Sequence, residues 1–248
     1  MLIYGKNPVK ELLSDSNSRI EEILISQDLR KDKSSDIFTL AKKRGIKVTF
    51  LPRDAISRLT NSTSHQGIAA RIPEYEYAPV ESILEKARAG EEKLLLVVLD
   101  HIEDPQNLGA IIRTVNALGA HGVVIPKDRA ASVTPAVIKA SSGAASHVLI
   151  SRVVNISTVI DDLKGKGVWI VGADASAPKP LYGEGFGNLD LAVVIGNESK
   201  GLGRKVKENC DFLVSIPQSG RVSSLNASVS AGILLYEIIR QRRTNKPE

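Results

Sequence analysis

Six continuous aliphatic runs recur in the C-terminal two-thirds of the chain: LLLVVL (94–99), GVVIP (122–126), HVLIS (147–151), VWIVGA (168–173), LAVVIG (191–196) and FLVSIP (212–217). None alternates polar with apolar residues, so each strand is expected to be covered on both faces, as in a parallel sheet. Helical stretches fall between the runs and supply the crossovers that parallel strands need. One of these helices has Asp104 as its N-cap, Pro105 in its first position and Gly119 at its stop; Thr134-Pro135 opens another in the same way. The expected class is α/β with a mostly parallel sheet. Aromatics make up only 4% of the chain, so its core must be aliphatic.

Residues 1–75 read as a separate compact α/β unit. NPVKELLSDS, DIFTLAKKRG and RDAISRLT read as helices; IEEILIS, IKVTFLP and GIAARI read as strands. Residues 76–92 read as a linker with a helix from about Pro79 to Ala89, and 93–248 as the second domain. The first unit carries 13 Lys and Arg against 9 Asp and Glu, a net +4, whereas residues 76–248 carry 20 against 19. A basic N-terminal part on a near-neutral body suggests a polyanion contact there. No apolar run approaches the roughly 20 residues a membrane span needs. The N-terminus has no secretory pattern, and the single Cys210 suits a reducing compartment, so a cytoplasmic location is expected. One Cys and four dispersed His make a structural zinc cluster unexpected, so no metal is assigned.

In open α/β sheets ligands bind beyond the carboxyl ends of the strands. Three such ends are unusually polar here. After LLLVVL comes a segment with Asn107 and Arg113; after LAVVI comes Gly196-Asn197-Glu198-Ser199-Lys200-Gly201-Leu202-Gly203; after FLVSIP comes Gln218-Ser219-Gly220-Arg221-Val222-Ser223-Ser224-Leu225-Asn226. The last opens a long apolar helix, read from Leu225 to about Arg242 with Ser223 or Ser224 as its N-cap. Arg113 sits in an otherwise apolar helix, where a guanidinium needs a partner. Gly183-x-Gly185-x-Gly187 lacks the dinucleotide spacing and lies in an expected loop, and Gly201-x-Gly203 has Val206 where the third glycine belongs. A nicotinamide-dependent oxidoreductase is thereby disfavoured.

Together the three segments resemble the SpoU-type (TrmH-type) RNA ribose 2′-O-methyltransferases of the SPOUT superfamily. The matching residues are Asp104-Pro105-Gln106-Asn107-Leu108-Gly109 with Arg113, Val194 to Glu198 with Gly201-Leu202, and Ile216-Pro217 through Ser224-Leu225-Asn226. The resemblance is greatest to the bacterial large-subunit ribosomal RNA guanosine methyltransferases. Gln218 stands where methionine is common, and Ala227 where valine is common.

The resemblance implies a SPOUT α/β knot, with a deep C-terminal trefoil, after a small domain similar to ribosomal protein L30e. It implies S-adenosyl-L-methionine held by main-chain groups of Gly196, Ile216 and Leu225. Gly196 would let the chain approach that ligand closely. Arg113 would serve the ribose hydroxyl, Glu198 would position Arg113 or the last loop, and Asn107, Ser224 and Asn226 would orient the ribose or the loops. Lys6, Asn7, His65 and Gln66 of the first domain would contact RNA. The implied partners are large-subunit ribosomal RNA and a second copy of the chain. The C-terminal helix, apolar at Ile233, Leu234, Leu235, Ile238 and Ile239, suits burial or an interface. The alternatives are a transfer RNA ribose methyltransferase and a non-catalytic RNA-binding module of the same fold.

Overall fold

The computed structural model describes all residues except 15, 17, 30, 91, 184, 198, 221–223 and 245–248; residues 31–35 are described by backbone alone. The chain divides into two compact units, Met1–Tyr75 and Glu76–Glu248.

The first unit runs β1 (Leu2–Tyr4), α1 (Lys6–Ser14), β2 (Glu22–Ser26), α2 (Lys31–Lys43), β3 (Lys47–Leu51), α3 (Arg53–Thr60) and β4 (Ile68–Arg71). Its sheet has the order β1-β4-β2-β3. Only β2 and β3 are parallel within it. Ile23 and Ile25 pair with Ala70 and Ile68 and face α1 and α2, burying against Val9, Leu13, Ile37 and Ala41. Leu24 and Ala69 face the other way, against Ile56 of α3. Both faces are therefore covered, which is why Ile23 to Ser26 are all buried in a strand whose sequence alternates at its start. Strand β1 was too short to read in sequence; its three residues are recruited by pairing with β4.

The second unit runs α4 (Val80–Ala89), β5 (Leu95–Asp100), α5 (Pro105–Leu118), β6 (Gly122–Pro126), α6 (Pro135–Ala140), β7 (Leu149–Val153), α7 (Ile156–Gly165), β8 (Trp169–Ala173), β9 (Lys179–Pro180), β10 (Leu191–Gly196), α8 (Arg204–Asn209), β11 (Phe212–Ser215) and α9 (Ala227–Thr244). Its seven strands have the order β7-β6-β5-β10-β8-β11-β9, and every neighbouring pair is parallel. The six expected strands are present; the seventh, β9, is a two-residue pairing against β11.

The expected linker is more than a connector. Ile83, Leu84 and Ala87 of α4 are buried in the same cluster as Leu96, Val98, Ala192 and Val194 of the sheet. A Cβ on Gly122 would lie 2.7 Å from the Ile83 methyl, so α4 lies tight against the start of β6. The glycine-bearing segment read as a loop contributes Phe186, which is fully buried. At its far end α9 is pinned by Arg242. That guanidinium donates to the carbonyls of Lys93 (2.6 Å), Leu94 (2.7 Å) and Leu189 (2.9 Å), more than the helix-end charge expected of it. Among the described residues no helix is long and apolar enough to cross a membrane.

Candidate functional site

Because every pair in the larger sheet is parallel, the segments after β5, β10 and β11 all leave from one edge. Strands β5 and β10 are neighbours, and Gly196 pairs with Asp100 at their ends. Only β8 separates β10 from β11. The carboxyl edge thus gathers the three polar segments, and side chains then fasten them to each other.

The first fastening joins segments 119 residues apart: Asn226 Nδ2 donates to Asn107 Oδ1 at 2.9 Å. Asn107 is only 8% exposed, so an unpaired amide there would be costly. Asn226 Oδ1 accepts from the main-chain N–H of Ser228 (2.9 Å) and Val229 (3.3 Å) and from the Ser228 hydroxyl (2.6 Å). The N-cap of α9 is therefore Asn226, and the helix starts at Ala227, two residues later than expected. Ser224 is exposed and does not cap; Ser223 lies outside the described residues. Asn107 and Asn226, expected to orient the ribose or the loops, hold each other and so join two of the loops.

The second fastening joins β5 to the segment after β10. Gly203 N–H donates to Asp100 Oδ2 at 2.6 Å, and Asp100 Oδ1 lies 2.6 Å from His101 Nδ1. Asn197 Nδ2 donates to the His101 carbonyl at 2.9 Å. Asn197 and Gly201 exchange main-chain bonds of 3.1 and 2.8 Å, closing the turn. Gly196 answers to this turn. A Cβ there would lie 2.3 Å from the Gly201 carbonyl carbon, so the backbone that needs the missing side chain is the protein's own. Sequence reasoning missed Asp100 and Asn197. An aspartate ending a fully aliphatic strand was the available signal, since a lone carboxylate at a strand end inside a core needs donors.

Arg113 is exposed on α5, and its Nη1 donates to Ser142 Oγ at 3.1 Å. One helical turn earlier, a Cβ on Gly109 would lie 2.4 Å from the Ala140 Cβ. Close packing of α5 on α6 at Gly109 thus carries the following turn, where Ser142 has φ +52°, up to the guanidinium. Among the described residues no carboxylate forms an ion pair with Arg113. Glu198, expected to position it, lies outside the described residues. Ile216 is half-buried, and Leu225 is 36% exposed beside polar neighbours.

In the first unit the candidate residues behave differently. His65 is fully buried: Nε2 lies 2.9 Å from Ser57 Oγ, and Nδ1 accepts from Gly67 N–H at 3.0 Å. It shapes the turn and presents no ring nitrogen to a ligand, which corrects the RNA-contact expectation. Burial, with the charge of Arg53 adding to it, pushes its pKa below the ordinary histidine value. Gln66 is exposed with φ +54°, and its Oε1 accepts from Lys6 N–H at 2.9 Å, capping the start of α1. Asn7 is exposed and Lys6 half-buried on that first turn.

Comparison with known proteins identifies the family of both units. Residues 94–236 match the SpoU rRNA Methylase family, and residues 2–78 match the family described as RNA 2′-O ribose methyltransferase substrate binding. A Bacillus subtilis protein named for the TrmH family of tRNA/rRNA methyltransferases is 43% identical over 240 residues, covering 97% of this chain and 95% of its own. The crystal structure of the SpoU methyltransferase AviRb from Streptomyces viridochromogenes, in complex with AdoMet, superposes with a TM-score of 0.66 at 27% identity, covering 99% of this chain and 91% of that one. The TrmH/SpoU tRNA-modifying enzyme of A. aeolicus gives 0.56 at 29% identity, covering 66% and 84%.

Proposed function

The chain belongs to the SpoU rRNA methylase family and is an S-adenosyl-L-methionine-dependent RNA methyltransferase; we propose that its acceptor is a ribose 2′-hydroxyl, on a guanosine of large-subunit ribosomal RNA. One observation carries the reading of the site. The Asn226–Asn107 bond fastens the start of the helix that bears Arg113 to the loop that ends at α9, at the carboxyl edge of a parallel sheet.

The residues present fit the donor. Gln218, Ser219, Gly220, Ser224 and Leu225 form no hydrogen bonds of their own among the described residues, so their main-chain groups remain for a ligand. Leu225 offers apolar surface beside them, as a purine face needs. The residues that would hold the donor are Ile216, Leu225 and the 196–203 turn. When bound it supplies a methyl group on a positively charged sulfur, so the electrophile is already activated.

The chain's own task is to align the hydroxyl and stabilise the charge that develops on it. Placement in line is worth several kcal/mol. A guanidinium offers no lone pair suited to take a proton, so Arg113 serves as a fixed cation beside the developing alkoxide and not as the base. Water or an RNA phosphate takes the proton. Ser142 holds Arg113 by its hydroxyl, and the role proposed for Glu198 is to position Arg113 or the last loop.

The first unit, with its excess of basic residues, is the proposed RNA-docking part, with Lys6, Asn7 and Gln66 at the start of α1 as its contacts. The active form is a homodimer. Exposed Val229, Ile233 and Tyr236 form one stripe on α9, and Ile233 and Tyr236 border a hollow of about 290 Å³ with Leu181 and Tyr182. A second copy fits this apolar stripe. The trefoil knot belongs to the same proposal, supported by β10 lying between β5 and β8 in a fully parallel sheet.

The relatives' names favour a second reading, transfer RNA, since one is named for tRNA/rRNA and another for tRNA. Mapping of 2′-O-methyl sites in RNA from cells with and without the gene decides between them. Loss of one large-subunit site is expected. Loss of a transfer RNA site selects the second reading. An unchanged map, together with no transfer of labelled methyl to total RNA, would leave only a binding module.

A further inference from the structure

We propose that Asp100 is a positioning residue that sets the affinity for the methyl donor by holding the 197–203 turn in its binding shape before the donor arrives. The inference rests on the reading that this turn forms part of the donor site.

Asp100 is 1% exposed, and both of its oxygens are occupied, by Gly203 N–H and by His101 Nδ1, each at 2.6 Å. These are the short distances of charge-assisted hydrogen bonds. A carboxylate buried at a strand end is expensive unless donors converge on it, so a sequence that keeps one there gains something else from it.

The turn itself is closed locally. Asn197 and Gly201 exchange main-chain bonds, and Asn197 Oδ1 collects the N–H groups of Ser199 (2.9 Å) and Lys200 (3.2 Å). These bonds tie Asn197 to Ser199, Lys200 and Gly201 and do not by themselves set the tilt of these residues relative to the sheet. Among the described residues the turn's polar ties to the sheet both land on Asp100 and His101: Gly203 on the Asp100 carboxylate, and Asn197 Nδ2 on the His101 carbonyl at 2.9 Å. His101 has φ +61°, so its carbonyl is turned out of the strand direction to meet Asn197. A Cβ on Gly203 would lie 3.1 Å from Asp100 Oδ2, so the approach of turn to carboxylate is already tight. Removing the post leaves the turn free to swing about the end of β10, and the donor must then order it on binding.

The test measures S-adenosyl-L-methionine affinity by calorimetry on the full-length chain, alongside melting temperature and methyl transfer to total RNA from cells lacking the gene. Asp100→Ala is expected to weaken donor binding about 10- to 100-fold while leaving the rate at saturating donor and the KM for RNA within about threefold. Asp100→Asn is expected to rescue most of this. Its amide oxygen can accept from Gly203, and its NH2 can donate to His101 Nδ1 in the other tautomer. Asn197→Asp keeps the acceptor inside the turn but loses the donor to the His101 carbonyl, and on this half-exposed residue a several-fold loss of donor affinity with an unchanged melting temperature is expected. Leu225→Asp serves as the control for the site itself. If it leaves donor binding intact, the donor site has been misplaced. If it abolishes binding while Asp100→Ala and Asn197→Asp both bind as tightly as the parent, the positioning role of Asp100 is wrong and the site reading survives. Equal losses in rate, RNA affinity and melting temperature in both variants would overturn the proposal in favour of a purely structural role.

Discussion

In sequence, the polar turn of the first unit resembles the polar strand ends of the larger one, yet the fold treats them differently. In the Ser64-His65-Gln66-Gly67 turn both His65 nitrogens and the Gln66 Oε1 are engaged at home, the latter capping α1. At the carboxyl edge of the larger unit the polar groups are also engaged, but across more than ninety residues: Asn226 with Asn107, Asp100 with Gly203, and Asn197 with the His101 carbonyl. Among the described residues, what they leave over is an exposed guanidinium bonded to the neutral Ser142 hydroxyl, and Gln218, Ser219, Gly220, Ser224 and Leu225, which form no hydrogen bonds of their own. A polar residue in a loop thus becomes a candidate for chemistry when the fold has not already used its hydrogen bonds.

The sharpest way to break this contrast is Arg113→Ala. If the unspent charge acts on the developing alkoxide, methyl transfer at saturating donor should fall roughly 10²- to 10³-fold, as for loss of one oxyanion donor, with the melting temperature nearly unchanged. A loss of stability without loss of rate would put Arg113 among the consumed residues. Next comes Asn226→Ala, which removes an N-cap worth about 1 kcal/mol and one hydrogen bond to the buried Asn107 oxygen worth about 0.5–1.5 kcal/mol more. Chemical denaturation should report the sum. In an Asn107→Leu background the same change should cost less, because that bond is already absent. Gly196→Ala follows, expected to destabilise by about 1–3 kcal/mol, since its methyl would have to displace the Gly201 backbone. An alanine variant of parental stability would mean that the turn yields easily and that Gly196 is kept for a ligand after all.

The smallest effect concerns the consumed histidine. His65 has a folded pKa held below its ordinary value of 6.5 by burial. The unfolded chain therefore binds the proton more readily, so the stabilisation is fully present above about pH 6.5 and is lost as pH falls below it, towards the folded pKa. Hydrogen exchange of β4 amides should accelerate as pH falls through this window, once corrected for intrinsic rates. His65→Gln should flatten that dependence without changing RNA affinity. A marked loss of RNA affinity would return His65 to the contact surface.

Local signals were sufficient wherever one element decides its own form. The aliphatic runs, Asp104-Pro105 with Gly119, and Thr134-Pro135 all behave as their chemistry dictates, because burial on both faces and helix capping are properties of short stretches. The candidate site was legible as three polar segments at strand ends, and Arg113 and Asn226 stand among them. The cap of α9 was not legible: Ser223, Ser224 and Asn226 are all competent, and the choice falls to the residue that can also reach Asn107. The helix read as a linker likewise carried the apolar positions Ile83, Leu84 and Ala87, but only packing could show which core they enter.

Taken by itself, the chain determined its α/β class, the positions of most strands and the polar character of three strand ends, since these follow from propensity and patterning within some ten residues. Which polar groups face each other, and which remain for a ligand, was decided by tertiary structure alone. Hydrogen bonds between Asp100 and Gly203, or Asn107 and Asn226, join points more than a hundred residues apart, and no local preference encodes a partner at that distance.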